Sequence, residues 1–202
     1  MTDEASVDLA IARLRALHEA DPRLRVTAAG PRPVEAVWCE TVARWVDTLA
    51  PDASAALRIA AAAQHLERWT RPRTDYPAGR AGYLRWRRDA GRAHAQRARA
   101  LCLDAACPEA LADAVAALLR KEQLKSNPDT ACLEDAAALA FLELDLDDFA
   151  QRHGDDDVVR ILARTWAKMS PAGRAAAARL PLTERAAGLL ERALAPDTGD
   201  GE

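Results

Sequence analysis

The stretch Val34-Glu35-Ala36-Val37-Trp38-Cys39-Glu40-Thr41-Val42-Ala43-Arg44-Trp45-Val46-Asp47-Thr48-Leu49 sets Val34, Val37, Trp38, Val42, Trp45, Val46 and Leu49 at helical spacing and stops short of Pro51. Apolar residues recurring every three or four positions mark one buried face of an α-helix, and the proline marks its end. The same spacing extends outward. Upstream, Val7, Ile11, Leu14 and Leu17 trace a helix over 5–20 that Pro22 follows, and Gly30, Pro31 and Pro33 read as a turn. Downstream, Asp52 or Ser54 can cap a third helix running through Leu57, Ala61 and His65 toward Trp69.

Residues 70–77, with Pro72 and Pro77, cannot be regular helix and read as a rigid connection. Helical spacing resumes from Arg80 to about Leu103, and Pro108 starts a helix carrying Leu111, Val115, Leu118 and Leu119. After a turn at 126–130, one helix is expected over about 131–151 with Leu133, Ala137, Ala140 and Leu144 on its apolar face, closed by Gly154. Val158 to Ala167, a segment capped at Ser170-Pro171, and about 183–194 complete the set. The expectation is an all-α protein, a compact bundle of seven to nine helices forming a single domain over 1–195, with a disordered tail at 196–202. There is no fixed-period repeat, glycine-rich phosphate loop or strand alternation, which excludes solenoid, P-loop and Rossmann readings.

Composition agrees. Alanine is roughly a quarter of the 202 residues, well above average usage, while Phe and Tyr number two each, so the five tryptophans are expected to carry much of the packing. Cys39, Cys102, Cys107 and Cys132 form neither a C-x-x-C pair nor a His-Cys cluster, and no apolar run reaches the roughly 20 residues of a membrane span. A cytoplasmic location is therefore expected, with no membrane partner. The net charge of -3 gives no case for broad nucleic-acid binding, but the charge is unevenly distributed. Residues 65–99 hold ten arginines against Glu67, Asp75 and Asp89, whereas 134–157 hold nine acids against Arg152. The two segments either pair with each other, stay solvated, or form an anion site beside a metal or carboxylate site.

Residues 64–94 carry whatever chemistry the chain has. On a helix starting near Arg80, Tyr83, Arg87, Ala90 and His94 share one face, where a scaffold helix would place Leu or Ala. Arg68, Arg73, Arg80 and Arg87 suit bidentate grip of a carboxylate or phosphate, with Tyr76, Tyr83 and Trp86 interleaved as stacking or packing residues. His65 and His94 read either as hydrogen-bonded core histidines or as metal ligands. Glu134 and Asp135, with Glu143 eight residues on, form an acidic cluster whose Asp135 and Glu143 are expected to face inward or outward together.

Gln64-His65, Arg68-Trp69, Pro72-Arg73, Tyr76-Pro77, Arg80, Gly82-Tyr83, Trp86-Arg87 and His94-Ala95, followed by Leu133-Glu134-Asp135, Phe141-Leu142-Glu143 and Lys168-Met169-Ser170, closely resemble the family named domain of unknown function 4202, from about Val34 to Leu194. Lys168-Met169-Ser170 is also similar to a synthetase signature, but such enzymes need a nucleotide-binding α/β domain that a helical chain lacks. The order of polar groups looks like that of HD-type metallohydrolases, which implies an HD-like fold with histidines and acids from several helices around a metal. Neither histidine is followed by aspartate, and Glu40 is a stand-in for the missing first ligand.

Together these readings predict a metal-dependent enzyme acting on a small anionic molecule, by phosphoester hydrolysis, with oxygenation on the same ligands as a branch. His65, His94 and Asp135 or Glu134 hold a divalent metal ion, Asp135, Glu134 and Glu143 supply catalytic carboxylates, and Arg68, Arg73, Tyr76, Arg80, Tyr83, Trp86 and Arg87 bind substrate. The alternative is a non-catalytic helical module whose arginines bind an acidic ligand, a partner protein or RNA.

Overall fold

The structure, a computed structural model, describes residues 4–124 and 126–195, so the tail expected at 196–202 lies outside the described residues. It is helical almost throughout, with ten α-helices among the described residues where seven to nine were expected. No helix among them is long and apolar enough to cross a membrane. The chain packs as two compact units divided after Leu133.

The first unit opens with α1 (Glu4–His18), then β1 (Leu24–Thr27) and β2 (Gly30–Pro33), α2 (Val34–Leu49), α3 (Ala55–Ala62), α4 (Gly79–Asp104) and α5 (Glu109–Leu119). The turn expected around Gly30 is a small antiparallel hairpin, pairing Leu24 with Pro33 and Thr27 with Gly30. Gly30 takes a φ of 107° there, a conformation open to glycine at no steric cost. α2 spans the stretch that the periodicity marks, burying Trp38, Cys39, Val42 and Val46. Ser54 caps α3 by accepting from the backbone N–H of Leu57. Four of the six buried residues of α3 are alanine, and the helix lies against α1, α2 and α5, while α4 packs along α1 and α5. Fully buried Val7, Leu14, Val42, Leu57, Ile59 and Leu66 fill this core. Of the tryptophans only Trp38 and Trp86 are buried, so leucine and alanine carry more of the packing than expected.

The third helix stops at Ala62 rather than running toward Trp69. Residues 63–67 are turns, and His65 and Glu67 sit in the left-handed region at φ 56° and 53°. Short 3-10 turns follow at Arg68–Thr70 and Arg73–Asp75, as the prolines require.

α6 (Pro128–Leu144) crosses the division. The second unit continues with α7 (Leu146–Arg152), α8 (Asp155–Trp166), α9 (Pro171–Ala177) and α10 (Glu184–Leu194). The single helix expected over 131–151 is broken at Asp145, whose φ of -122° is not helical, and Gly154 is the N-cap of α8 instead of a stop. Ser170 and Thr183 cap α9 and α10 with their side chains. Asp155 and Asp156, in the first turn of α8, pair with Arg185 and Arg192 of α10, so these acids find partners inside their own unit.

Candidate functional site: an imidazole and carboxylate cluster

The site is built where α3 ends. A helix leaves its last carbonyls without intrahelical partners, and here neighbouring helices supply them. His18 of α1 donates from Nε2 to the carbonyl of Ala62 at 2.9 Å, and the Cys39 thiol of α2 donates to the carbonyl of Gln64 at 2.9 Å. Both groups are fully or nearly fully buried, and burial pushes the Cys39 thiol well above its ordinary value, so it is a hydrogen-bond donor and not a nucleophile. The turn they anchor presents His65.

Glu35, in the first turn of α2, is the carboxylate that the fold sets beside His65. It is 2% exposed, and its Oε2 lies 3.3 Å from His65 Nδ1. Arg23, just before β1, donates to Glu35 Oε1 at 2.6 Å and also to both oxygens of Asp21, while Asp21 accepts from the backbone N–H of Glu35. Burial opposes a charge on Glu35, yet the bond to His65 and the guanidiniums of Arg23 and Arg68 outweigh it and hold the carboxyl well below its usual range. An ionised carboxylate can only accept, so His65 carries its proton on Nδ1 and its lone pair on Nε2. Arg68 Nη1 lies 3.0 Å from that Nε2.

The His65 ring stacks on Trp38 at 4.6 Å and faces His94 of α4 at 6.5 Å between centroids. Burial, then the positive charge of Arg68, pushes His65 down to about 4, and burial followed by the neighbouring His65 and Arg68 pushes His94 to about 3. Both imidazoles are therefore neutral at pH 7. Nε2 of His94 and Nε1 of Trp38 are buried without a hydrogen-bond partner among the described residues. A buried polar atom left unpaired costs roughly 1–3 kcal/mol, and Nδ1 of His18 is a third such atom, so the two beside His65 are groups that a ligand or a water molecule can pair. The left-handed backbone of His65 and Glu67 adds strain of order 1–3 kcal/mol per residue at the same turn.

The residues expected to bind substrate divide into three groups. Arg68 reaches the cluster and stacks on Trp86, its Cζ 4.8 Å from the ring. Arg73 is engaged with its own loop, donating to the carbonyls of Tyr76, Pro77 and Gly79, and buried Trp86 donates to the carbonyl of Arg71. Arg80, Tyr83 and Arg87 are exposed, Arg87 lying over the Tyr83 ring, while Tyr76 is half-buried beside Arg71. The shared face expected for Tyr83, Arg87, Ala90 and His94 is shifted by one position. The buried stripe of α4 is Gly82, Trp86, Ala90 and His94, spaced by four, and Tyr83 and Arg87 flank it in solvent.

The acidic cluster lies in the second unit. Asp135 is 3% exposed and accepts from the backbone N–H of Ser170 at 3.0 Å; Glu134 is half-buried and Glu143 exposed. The common orientation expected for Asp135 and Glu143 fails because eight residues at 3.6 per turn leave them about 80° apart around the axis. Glu40, the suggested stand-in ligand, is paired bidentately with Arg32 at the surface. The reading of the sequence missed Glu35, although the signal is there: Glu35 is in phase with Trp38, Cys39, Val42 and Val46, a carboxylate within the apolar stripe of α2.

Among the described residues no three His, Cys, Asp or Glu side chains converge as placed on a metal position. The donor chemistry nonetheless suits one. Two neutral imidazoles are in the form that ligates, with ring centroids 6.5 Å apart, whereas both oxygens of Glu35 are taken by Arg23 and His65.

The sequence model of one protein family, described as Domain of unknown function (DUF4202), matches residues 8–190. No curated protein and no solved structure matches the chain.

Proposed function

Because the chain belongs to this family of unknown function along nearly its whole length, its chemistry has to be read from its own residues, and we propose that it is a metal-dependent enzyme that hydrolyses a small phosphoester. The observation that carries the reading is the pairing of neutral His65 and His94 beside ionised Glu35, with an unpartnered Nε2 on His94. His65 and His94 would hold the ion, and Glu35, in place of the Asp135 or Glu134 expected from sequence, would support His65 from its Nδ1 side without ligating. A divalent ion supplies Lewis acidity at such a site. Arg68 would grip the anionic end of the substrate, and the unpaired indole N–H of Trp38 adds a neutral donor. Glu35 fixes the tautomer of His65 and keeps Nε2 basic, the arrangement that carboxylate-supported imidazole ligands require. The His65 side chain, mostly buried but 23% accessible, is where the cluster reaches solvent.

Elemental analysis of tag-free protein tests this directly. About one equivalent of transition metal should be retained and lost in the His65→Ala, His94→Ala double variant, and Glu35→Gln should weaken metal affinity by roughly 10- to 100-fold. Folded protein that takes up no metal from excess zinc or manganese would overturn the reading.

One observation favours a second reading, the non-catalytic module. Arg80, Arg87 and Arg92 are exposed on α4 and have no ion-pair partner among the described residues. On that reading they bind an acidic ligand, partner or RNA, and the histidine cluster is inert.

A further inference from the structure

A surface depression of about 390 Å³ opens where the 70–77 turn meets the start of α4, lined by Thr70, Arg71, Asp75, Tyr76, Arg85 and Asp89. That volume is within the range of small-molecule sites, roughly 300–1,000 Å³. Its walls are fixed on both sides. Arg73 ties together the carbonyls of Tyr76, Pro77 and Gly79, and Trp86 holds the carbonyl of Arg71 at 2.8 Å. Gly82 allows the turn to seat against the helix, since a Cβ there would lie 1.9 Å from the carbonyl oxygen of Pro77. The backbone of the turn is held firmly, while the side chains of Thr70, Arg71, Asp75 and Arg85 that line the recess are exposed to solvent.

The lining decides the ligand class. Two guanidiniums, from Arg71 and Arg85, are balanced by two carboxylates, from Asp75 and Asp89, and Arg85 already lies 3.8 Å from Asp89. A bare anion drawn to either arginine meets an aspartate, so the depression is poorly suited to phosphate alone. A hydroxyl group both donates and accepts, so a run of hydroxyls can pair with the guanidiniums and the carboxylates of this lining together. Tyr76 and Pro77 form the apolar part of the wall, and the rest of the lining is charged or hydroxylated.

We propose that this depression binds a polyhydroxylated group, a sugar or polyol. Resting on the phosphoester reading above, it receives the alcohol portion of the substrate while Arg68 takes the anionic end. Arg68 stacks on the same indole whose N–H holds the Arg71 carbonyl, so one side chain, Trp86, links the two sites.

The test is a titration followed by NMR with D-ribose, D-glucose, glycerol and their terminal phosphates, alongside phenyl phosphate and inorganic phosphate. At least one sugar or polyol phosphate should bind 10-fold or more tighter than phenyl phosphate, with shifts at Tyr76 and Thr70. The Asp75→Asn, Asp89→Asn double variant should abolish that preference without weakening inorganic phosphate binding, since it removes the charges that oppose an anion at Arg71 and Arg85. Equal binding of phenyl phosphate, survival of the preference in the double variant, or no binding by any sugar or polyol overturns the proposal. Failure of the catalytic reading looks different: protein that takes up no metal yet shows aspartate-dependent sugar shifts loses the hydrolase and keeps this site.

Discussion

Glu35 and Asp135 are both buried carboxylates, 2% and 3% exposed, but they face different kinds of partner. Glu35 meets side chains that ionise, the His65 imidazole and the Arg23 guanidinium. Asp135 accepts the backbone N–H of Ser170 and lies against Gly173, where a Cβ would come within 2.6 Å of its carboxyl carbon. The difference separates site from scaffold. A carboxylate that satisfies a backbone amide holds one loop in one geometry, whereas one that orients an imidazole sets a tautomer and a charge state that chemistry can use.

The largest expected effect breaks the scaffold side. Asp135→Ala orphans the buried N–H of Ser170 and should lower unfolding stability by about 2–3 kcal/mol in urea melts, while bound metal stays at the wild-type level. Loss of metal with stability intact would instead make Asp135 the ligand that the sequence suggested, and the two carboxylates would exchange roles. Gly173→Ala, which forces that carboxylate to shift, should cost about 1–3 kcal/mol by the same melts and likewise leave metal bound.

Acid titration sharpens the other side. His65 and His94 have folded values near 4 and 3, below the ordinary value of about 6.5, so between these limits the unfolded chain binds more protons than the folded one. Stability is therefore fully present above about pH 6.5 and falls as pH drops toward 3. Glu35, also held low, keeps its contribution above the ordinary carboxyl value and loses it at still lower pH. His94→Leu should remove about 2–3 kcal/mol of the stability lost between pH 6.5 and 4. An unchanged profile would mean that His94 is not held neutral by its surroundings.

This contrast explains what was legible beforehand. α2, α4 and α10 were readable because each buries a stripe at helical spacing next to a proline or a capping residue. His65 and His94 were readable as a pair because imidazoles are rare on alanine-rich helices, and the fold does bring their rings to 6.5 Å. Glu35 is hard to read from sequence because the valines and tryptophans of α2 define its apolar stripe on their own, and a carboxylate in phase with them adds nothing to the periodicity. The hairpin was missed because Leu24–Thr27 is too short for a pattern of two to stand out, and the break at Asp145 because no glycine or proline marks it. Arg73 and Trp86 looked like ligand-binding groups because sequence does not reveal which carbonyls a loop leaves unsatisfied.

The smallest expected effect carries the distinction into the backbone. Ala106 and His65 both occupy the left-handed region, at φ 61° and 56°. Ala106 follows the end of α4, where the N–H of Cys107 reaches back to the carbonyl of Cys102, the position that glycine favours after a helix. Ala106→Gly should raise stability by about 0.5–1 kcal/mol in thermal melts and alter nothing else, since only a helix end depends on that geometry. His65→Gly relaxes the same kind of strain, yet removes the stack on Trp38 and the bond to Glu35, so metal retention should vanish even if the melting temperature barely moves. Equal behaviour of the two glycine variants in metal content would place His65 with Ala106 as plain scaffold, because strain kept for a ligand cannot be released without losing the ligand.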